Sequence, residues 1–236
     1  MPDGDKSTPV NGTARVFDES PYLGGAYAPR RKSSFERTDA HWPRIEALKD
    51  SIDSVTLDVL EWALEAAIDE GEAAVERTAV STIVREQHDY RASLNTIDCN
   101  SVTRVSWAAT ADPIRNYYAL EDIHEGDVFL YNDIHESSGT IGHLPDFCVV
   151  VPIFSDGRLL GFSQLFGHCN DVGGKTSGSW SLTATTVFEE GIQVPPIKLY
   201  SRGVRNEDVW KIILRNSRYP DDLRGDIDAF VGATRI

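Results

Sequence analysis

The sequence has no uninterrupted run of about 18 apolar residues, so no membrane-spanning helix is expected. Its start, "MPDGDKSTPVNGT", lacks the apolar core of a secretory signal. Cysteine is scarce. The three present (Cys99, Cys148, Cys169) are odd in number, and their spacing fits neither a zinc ribbon nor a disulfide framework. Reduced thiols in a cytoplasm are the expectation. Positive charge is also in deficit, with 23 Lys and Arg against 37 Asp and Glu and a formal net charge of −14. A phosphate-backbone partner needs a basic surface, which excludes nucleic acid; the acidic surplus reads as a solvated surface. No internal repeat is visible. What is present, 236 residues with 41% hydrophobic and 25% charged, suits a soluble protein that buries a sizeable core in one large or two small domains.

Residues 1–40 are rich in Pro, Gly, Ser, Arg and Lys and read as an irregular arm, with Phe17, Tyr22, Tyr27 and Phe35 available for packing on a partner. In "DSVTLDVLEWALEAAIDEGEAAVERTAVS", Leu60, Leu64, Ile68 and Val75 recur near helical spacing. This predicts a long, mostly buried helix capped by Asp53 or Ser54, with alanines that let another element approach. After residue 80 the texture changes. "GDVFLYND" (126–133) and "FCVVVPIF" (147–154) read as strands, and "RLLGFSQLFGH" (158–168) as a third. The Asp-Gly step between the last two is a hairpin signal. "NEDVWKIILRNSR" carries Asn206 as an N-cap, acids in its first turn and arginines near its end, the charging expected of a helix. The fold class is mixed α/β (α+β): a sheet containing a β-hairpin, packed with the long helix and preceded by the arm. The expected division is an arm over 1–53 and a domain over 54–236.

Chemistry concentrates around the hairpin. "GHLPDF" places His143 and Asp146 three apart across a turn favoured by Gly142 and Pro145. That spacing fits the lip of a metal site and equally a polar turn before a buried strand. Alternation along the next strand puts Leu160, Phe162, Gln164, Phe166 and His168 on one face. If the two strands pair tightly across the Asp-Gly turn, Asp146 and His168 meet at the far end, with His143 just beyond. The glycines of "NDVGGKTSGS" allow a loop that, with Lys175, either cradles an anion or simply connects; it lacks the spacing of a P-loop. Upstream, His88 and Asp89 are adjacent, so one of them is a candidate ligand and the other a supporting group.

Several stretches, in order, resemble the B-type member of the hydantoinase, oxoprolinase and ketone-carboxylase family: "TLDVLEWALEAA", "RTAVSTIVREQHD", "GDVFLYNDIHESSGTIGHLPDF", "FGHCNDVGGKTSGS", "FEEGIQVPPIKLYSRGV", "NEDVWKIILRNSR" and "RGDIDAF". The resemblance covers roughly 54–236. It implies a mixed α/β protein that works with a hydantoinase A-type ATPase partner, which binds the ATP. It also implies a divalent metal held by Asp89, His143, Asp146 and His168, a set suited to zinc, manganese or iron. His88 and Asp171 are implied in catalysis, with Asp133 and Glu190 in support. The single histidine of His168-Cys169-Asn170-Asp171, with "REQHD", "SSGTIGH" and "FEEGIQVPP", looks more like acetone and acetophenone carboxylases, which implies a small ketone and bicarbonate as substrates. An ATP-dependent hydrolase of cyclic amides and a non-catalytic structural paralogue are the alternatives. Family members continue well beyond the segment matching "GATRI", so either another chain supplies that half or this chain is a shortened paralogue.

Overall fold

The computed structural model describes residues 51–103, 111–137 and 141–236. The expected arm, with its four aromatics, and the middle of "SSGTIGH" lie outside the described residues. Helix α1 (Ser54–Thr78) begins at Asp53, whose carboxylate accepts the Thr56 N–H. A short α2 (Thr82–Arg85) leads into strand β1 (Tyr90–Thr96). Helix α3 (Asp112–Tyr117) and strand β2 (Val128–Tyr131) follow, then β3 (Asp146–Ser155) and β4 (Arg158–His168). Strands β5 (Ile197–Ser201) and β6 (Val204–Arg205) precede α4 (Glu207–Arg215) and α5 (Pro220–Ala233). Asn206 caps α4 by accepting the Val209 N–H. No helix among the described residues is long and apolar enough to cross a membrane.

The six strands form one antiparallel sheet in the order β1-β4-β3-β2-β5-β6. Strand alternation splits the core in two. Val128, Leu130, Phe147, Val149 and Leu165 face α1, α4 and α5, packing with Ile68, Val75, Trp210, Ile213, Leu223, Ile227 and Phe230. The opposite residues, Phe129, Tyr131, Cys148, Val150, Phe162 and Phe166, pack with Ala111, Ile114, Ile123 and Ile141. Both faces of the central strands are therefore buried, which explains why β3 reads as an apolar run rather than an alternating one.

The long helix departs from expectation. Only Ile68, Gly71 and Val75 of α1 are buried, while Val55, Leu57, Val59, Leu60 and Trp62 are exposed. Its apolar residues are spread around the first turns, so no single stripe faces the sheet. The last turns pack on α5, where Gly71 permits close approach: a Cβ there would stand 3.2 Å from the Ala233 carbonyl oxygen.

The β3–β4 hairpin sets the geometry that follows. Asp156 and Gly157 both have positive φ (51° and 72°), the signature of the two-residue turn that matches strand twist. Beside the turn Ser155 faces Arg158 and Phe154 faces Leu159, but further along Ile153 faces Gly161. Leu160 is thus an extra residue, a β-bulge, and its side chain is exposed instead of joining the face assigned to it by simple alternation. From there the register runs on to Asp146 opposite His168. Without the bulge, Asp146 would oppose Gly167, and His168 would point to the other face.

Deleting Leu160 should therefore remove the extra residue alone: Gly161 then follows Leu159 and still opposes Ile153, and Asp146 still faces His168. The expected outcome, followed by circular dichroism on heating, is a cooperative melt with the hairpin register kept. Leu160→Thr keeps the residue count and should stay within about 0.5 kcal/mol of the parent, as exposed substitutions usually do. A deletion variant without a cooperative melt would contradict the assignment of Leu160 as the extra residue.

Candidate metal centre

His143, Asp146 and His168 converge where the open end of the hairpin meets the loop before β3. Register alone brings Asp146 to His168. The loop is fixed by two kinds of contact. The Asp146 N–H bonds to the His143 carbonyl at 3.2 Å, closing the turn. Buried Asn132, just past β2, donates to the carbonyls of Leu144 and Ile192 and accepts the Val194 N–H. That side chain ties the His143 loop to the segment after residue 190.

The three potential donor atoms lie close together. His143 Nε2 is 2.9 Å from Asp146 Oδ1 and 3.2 Å from His168 Nδ1, and His168 Nδ1 is 3.5 Å from Asp146 Oδ1. Two neutral imidazoles whose ring nitrogens face each other bond only if one carries a proton there, or if a cation lies between them. The three separations put the atoms on a circle of radius about 1.9 Å, just under the metal–ligand bond of about 2.0–2.1 Å. A point about 1 Å out of their plane therefore reaches all three at bonding distance. Two imidazoles and a carboxylate suit zinc, manganese or iron, and leave coordination positions open. On this test the residues fit a divalent ion.

Charge around the triad is negative. The hydrogen bond to Asp146 raises His143 above its ordinary value, against the opposing effect of burial, with the charges of Asp89 and Glu190 adding to it. Burial pushes Asp146 up, but bonds from His143 and His168 outweigh it and leave the carboxyl below its usual range. An acidic surrounding of this kind attracts a cation.

The other expected residues fall in different places. Asp89 lies at the rim: its carbonyl accepts the His168 N–H at 2.9 Å, and its half-exposed carboxylate is 3.8 Å from His168 Nδ1. His88 is not brought to the triad; its ring stacks near Tyr90 and lies 3.9 Å from Glu76 on α1. Asp133 caps the turn after β2 by accepting the N–H groups of His135 and Glu136. Glu190 turns a buried carboxylate oxygen, Oε2, that has no hydrogen-bond partner. Cys169 is buried in the apolar core that faces the helices, and burial pushes its thiol well up.

Asp171 has a different partner. Its buried carboxylate accepts from Arg218 Nη1 at 2.7 Å, the Arg218 N–H at 3.2 Å, and the N–H groups of Gly173 and Gly178, both at 2.8 Å. Arg218 also donates to the carbonyls of Gly173, Gly174 and Thr176. The glycine-rich loop thus wraps a guanidinium with its carbonyls, the reverse of an anion cradle. Lys175 bonds to Thr183 and Glu189 instead. Gly174, with φ 77°, is required: a Cβ there would lie 2.5 Å from the Glu189 carbonyl oxygen. Two residues of this region escape a reading of the sequence: Arg218, whose partner lies 47 positions away, and Trp180, whose ring stands 5.3 Å from that of His143.

An antiparallel sheet with two imidazoles and a carboxylate at one hairpin end defines a protein with a candidate divalent-metal centre. Residues 53–236 match the family described as Hydantoinase B/oxoprolinase, and the chain belongs to that family. It is 31% identical over 197 residues to the B component of a putative D-/L-hydantoinase from a Pseudomonas species (strain NS671), covering 78% of this chain and 33% of that one. It is 31% identical over 126 residues to the acetophenone carboxylase delta subunit of Aromatoleum aromaticum, covering 51% and 18%. The crystal structure of the ATP-dependent caprolactamase from Pseudomonas jessenii superposes with a TM-score of 0.69 at 29% identity, over 78% of this chain and 32% of that one. The chain spans about a third of the length of the hydantoinase and caprolactamase relatives it matches.

The Asp171–Arg218 pair gives a test of how the loop is held. Hydrogen bonds and the guanidinium overcome the effect of burial and hold the Asp171 carboxyl below its usual range. Its stabilisation is therefore present above the unfolded value of about 3.9 and lost as pH falls through the depressed folded value. Arg218→Ala should cost about 2–3 kcal/mol, less than the 3–5 of a fully buried pair because the guanidinium is partly in water. Asp171→Asn should flatten the acid limb of stability against pH. An Arg218→Ala melt equal to the parent would refute this anchoring role.

Proposed function

We propose that this chain is the metal-bearing component of an ATP-dependent complex that acts on the carbonyl carbon of a small molecule. The single observation that carries this is the meeting of His143 Nε2, Asp146 Oδ1 and His168 Nδ1 within bonding reach of one point. His143, Asp146 and His168 would hold the ion, with Asp89, whose half-exposed carboxylate is 3.8 Å from His168 Nδ1, as the further ligand. When bound, a divalent metal supplies Lewis acidity that polarises a carbonyl oxygen. The chain's own residues do the rest. The two imidazoles orient the carboxylate, and the acidic surround of Asp89 and Glu190 keeps the centre selective for cations. Arg218 and Asp171 hold the loop that borders the site. ATP is bound by a hydantoinase A-type partner.

Two reactions suit such a centre. The first is carboxylation of a ketone with bicarbonate, favoured by His168 standing alone as a ligand beside a buried Cys169 and by the acetophenone carboxylase relative. The second is opening of a cyclic amide, favoured by the hydantoinase and caprolactamase relatives, which match more of the chain. In the complex purified through a tag on this chain, ATP turnover that requires bicarbonate and acetone selects the first. Turnover with caprolactam and no bicarbonate selects the second.

Metal content tests the centre itself. One divalent ion per chain is expected by elemental analysis, with His143→Ala and His168→Ala each reducing affinity at least about 100-fold. Because the metal needs a neutral ring and Asp146 raises His143, affinity should fall about tenfold per pH unit once pH drops below that raised value. Full metal occupancy in both alanine variants would end the proposal.

A further inference from the structure

Trp180 belongs to neither apolar core among the described residues. Trp210, by comparison, is 1% exposed in the core with Arg205 stacked on it at 4.4 Å. Trp180 is 61% exposed, yet its ring is held perpendicular to His143 at 5.3 Å and lies 6.0 Å from His168. Its backbone is locked. Ser179, just before it, has a left-handed φ of 56°, a strained conformation for a non-glycine residue. The Ser179 hydroxyl donates to the Gly173 carbonyl and accepts the Val172 N–H, and Thr176 Oγ1 donates to the Trp180 carbonyl. The same loop is clamped on Arg218. A loop held by this many bonds, with strain spent at the residue before the tryptophan, fixes a large apolar surface beside two metal-type imidazoles while leaving most of it in water.

We infer that Trp180 is the substrate-facing wall of the metal centre, receiving the hydrocarbon part of a small, uncharged carbonyl compound whose oxygen points toward His143 and His168. This rests on the metal centre proposed above. Aromatic surface favours an apolar partner. The neighbouring Asp89 and Glu190 disfavour an anion, and among the described residues no Lys or Arg pairs with the triad. The substrate class is thus a ketone or a lactam rather than a carboxylate.

Two titrations of the full-length chain test it without turnover. In the first, Co2+ is added while tryptophan emission and bound cobalt are both measured. The parent should lose the share of one indole among its five. Trp180→Phe should bind the same cobalt with that loss abolished. Equal quenching in both proteins at equal cobalt content overturns the position assigned to Trp180 while leaving the metal centre standing. Absence of bound cobalt in both removes the metal centre, and this inference with it. In the second, the parent loaded with Zn2+, which leaves tryptophan emission intact, is titrated with acetone, cyclohexanone and caprolactam, and the cobalt-loaded parent is titrated in parallel. At least one should shift the Trp180 component to shorter wavelength. Its Kd, read from cobalt's visible absorption, should weaken about tenfold in Trp180→Ala. No shift with any of the three, or an unchanged Kd, overturns the substrate role.

Discussion

Residues that face each other across an antiparallel pair share one side of the sheet, and a slip of one position reverses sides. The candidate site depends on that constraint at one place. The two-residue Asp156-Gly157 turn begins one register, and the Leu160 bulge converts it to another before the strands reach the core. Only in the second register do Asp146 and His168 project together from the side that also carries Cys148, Val150, Phe162 and Phe166. The buried aromatics and the candidate ligands therefore reinforce each other. Packing Phe162 and Phe166 inward is what aims His168, and no slip can satisfy one requirement without the other.

Around that fixed pair the remaining parts are delivered by contacts of long sequence separation. Asn132 binds the loops on both sides of the site through three hydrogen bonds. Arg218, in the link between α4 and α5, threads its guanidinium into the carbonyls of the 173–176 segment and pairs with Asp171. Gly167 lets α5 close behind the site: a Cβ there would stand 2.3 Å from the ring of Phe230. Helices on one side of the sheet thus determine how tightly the site on the other side is held. Such preorganisation makes a centre of this kind selective in what it binds.

Much of this was legible in the residues. The apolar run of β3, the Asp-Gly turn and the capped α4 follow from local chemistry, and so does the pairing that brings the ends of β3 and β4 together, but Asp146 meets His168 on one face only because of the bulge. The resemblance placed the chain in its family, as the match over 53–236 shows. What was not legible depended on distance or on counting. The bulge changes the strand count by one without any glycine or proline at Leu160 to announce it. The exposure of Val55, Leu57 and Trp62 on α1 depends on what packs against the helix, which periodicity does not state. Asp171 is implied in catalysis by the resemblance, whereas its pairing with Arg218, 47 residues away, is not announced by any local pattern. His88 reads as a partner of Asp89, but its positive φ of 56° turns the ring toward α1. Trp180 offers one faint signal: a tryptophan in a polar, glycine-rich loop has no core of that loop to join.

The account stands on one point in space shared by three side chains. Diffraction from crystals grown with Mn2+ or Zn2+, collected at the absorption edge of the metal, locates that point directly. The expected result is a single anomalous peak about 2.0–2.2 Å from His143 Nε2, Asp146 Oδ1 and His168 Nδ1 together. Well-ordered imidazoles bonded to each other with no peak between them, from crystals saturated with either ion, would contradict it.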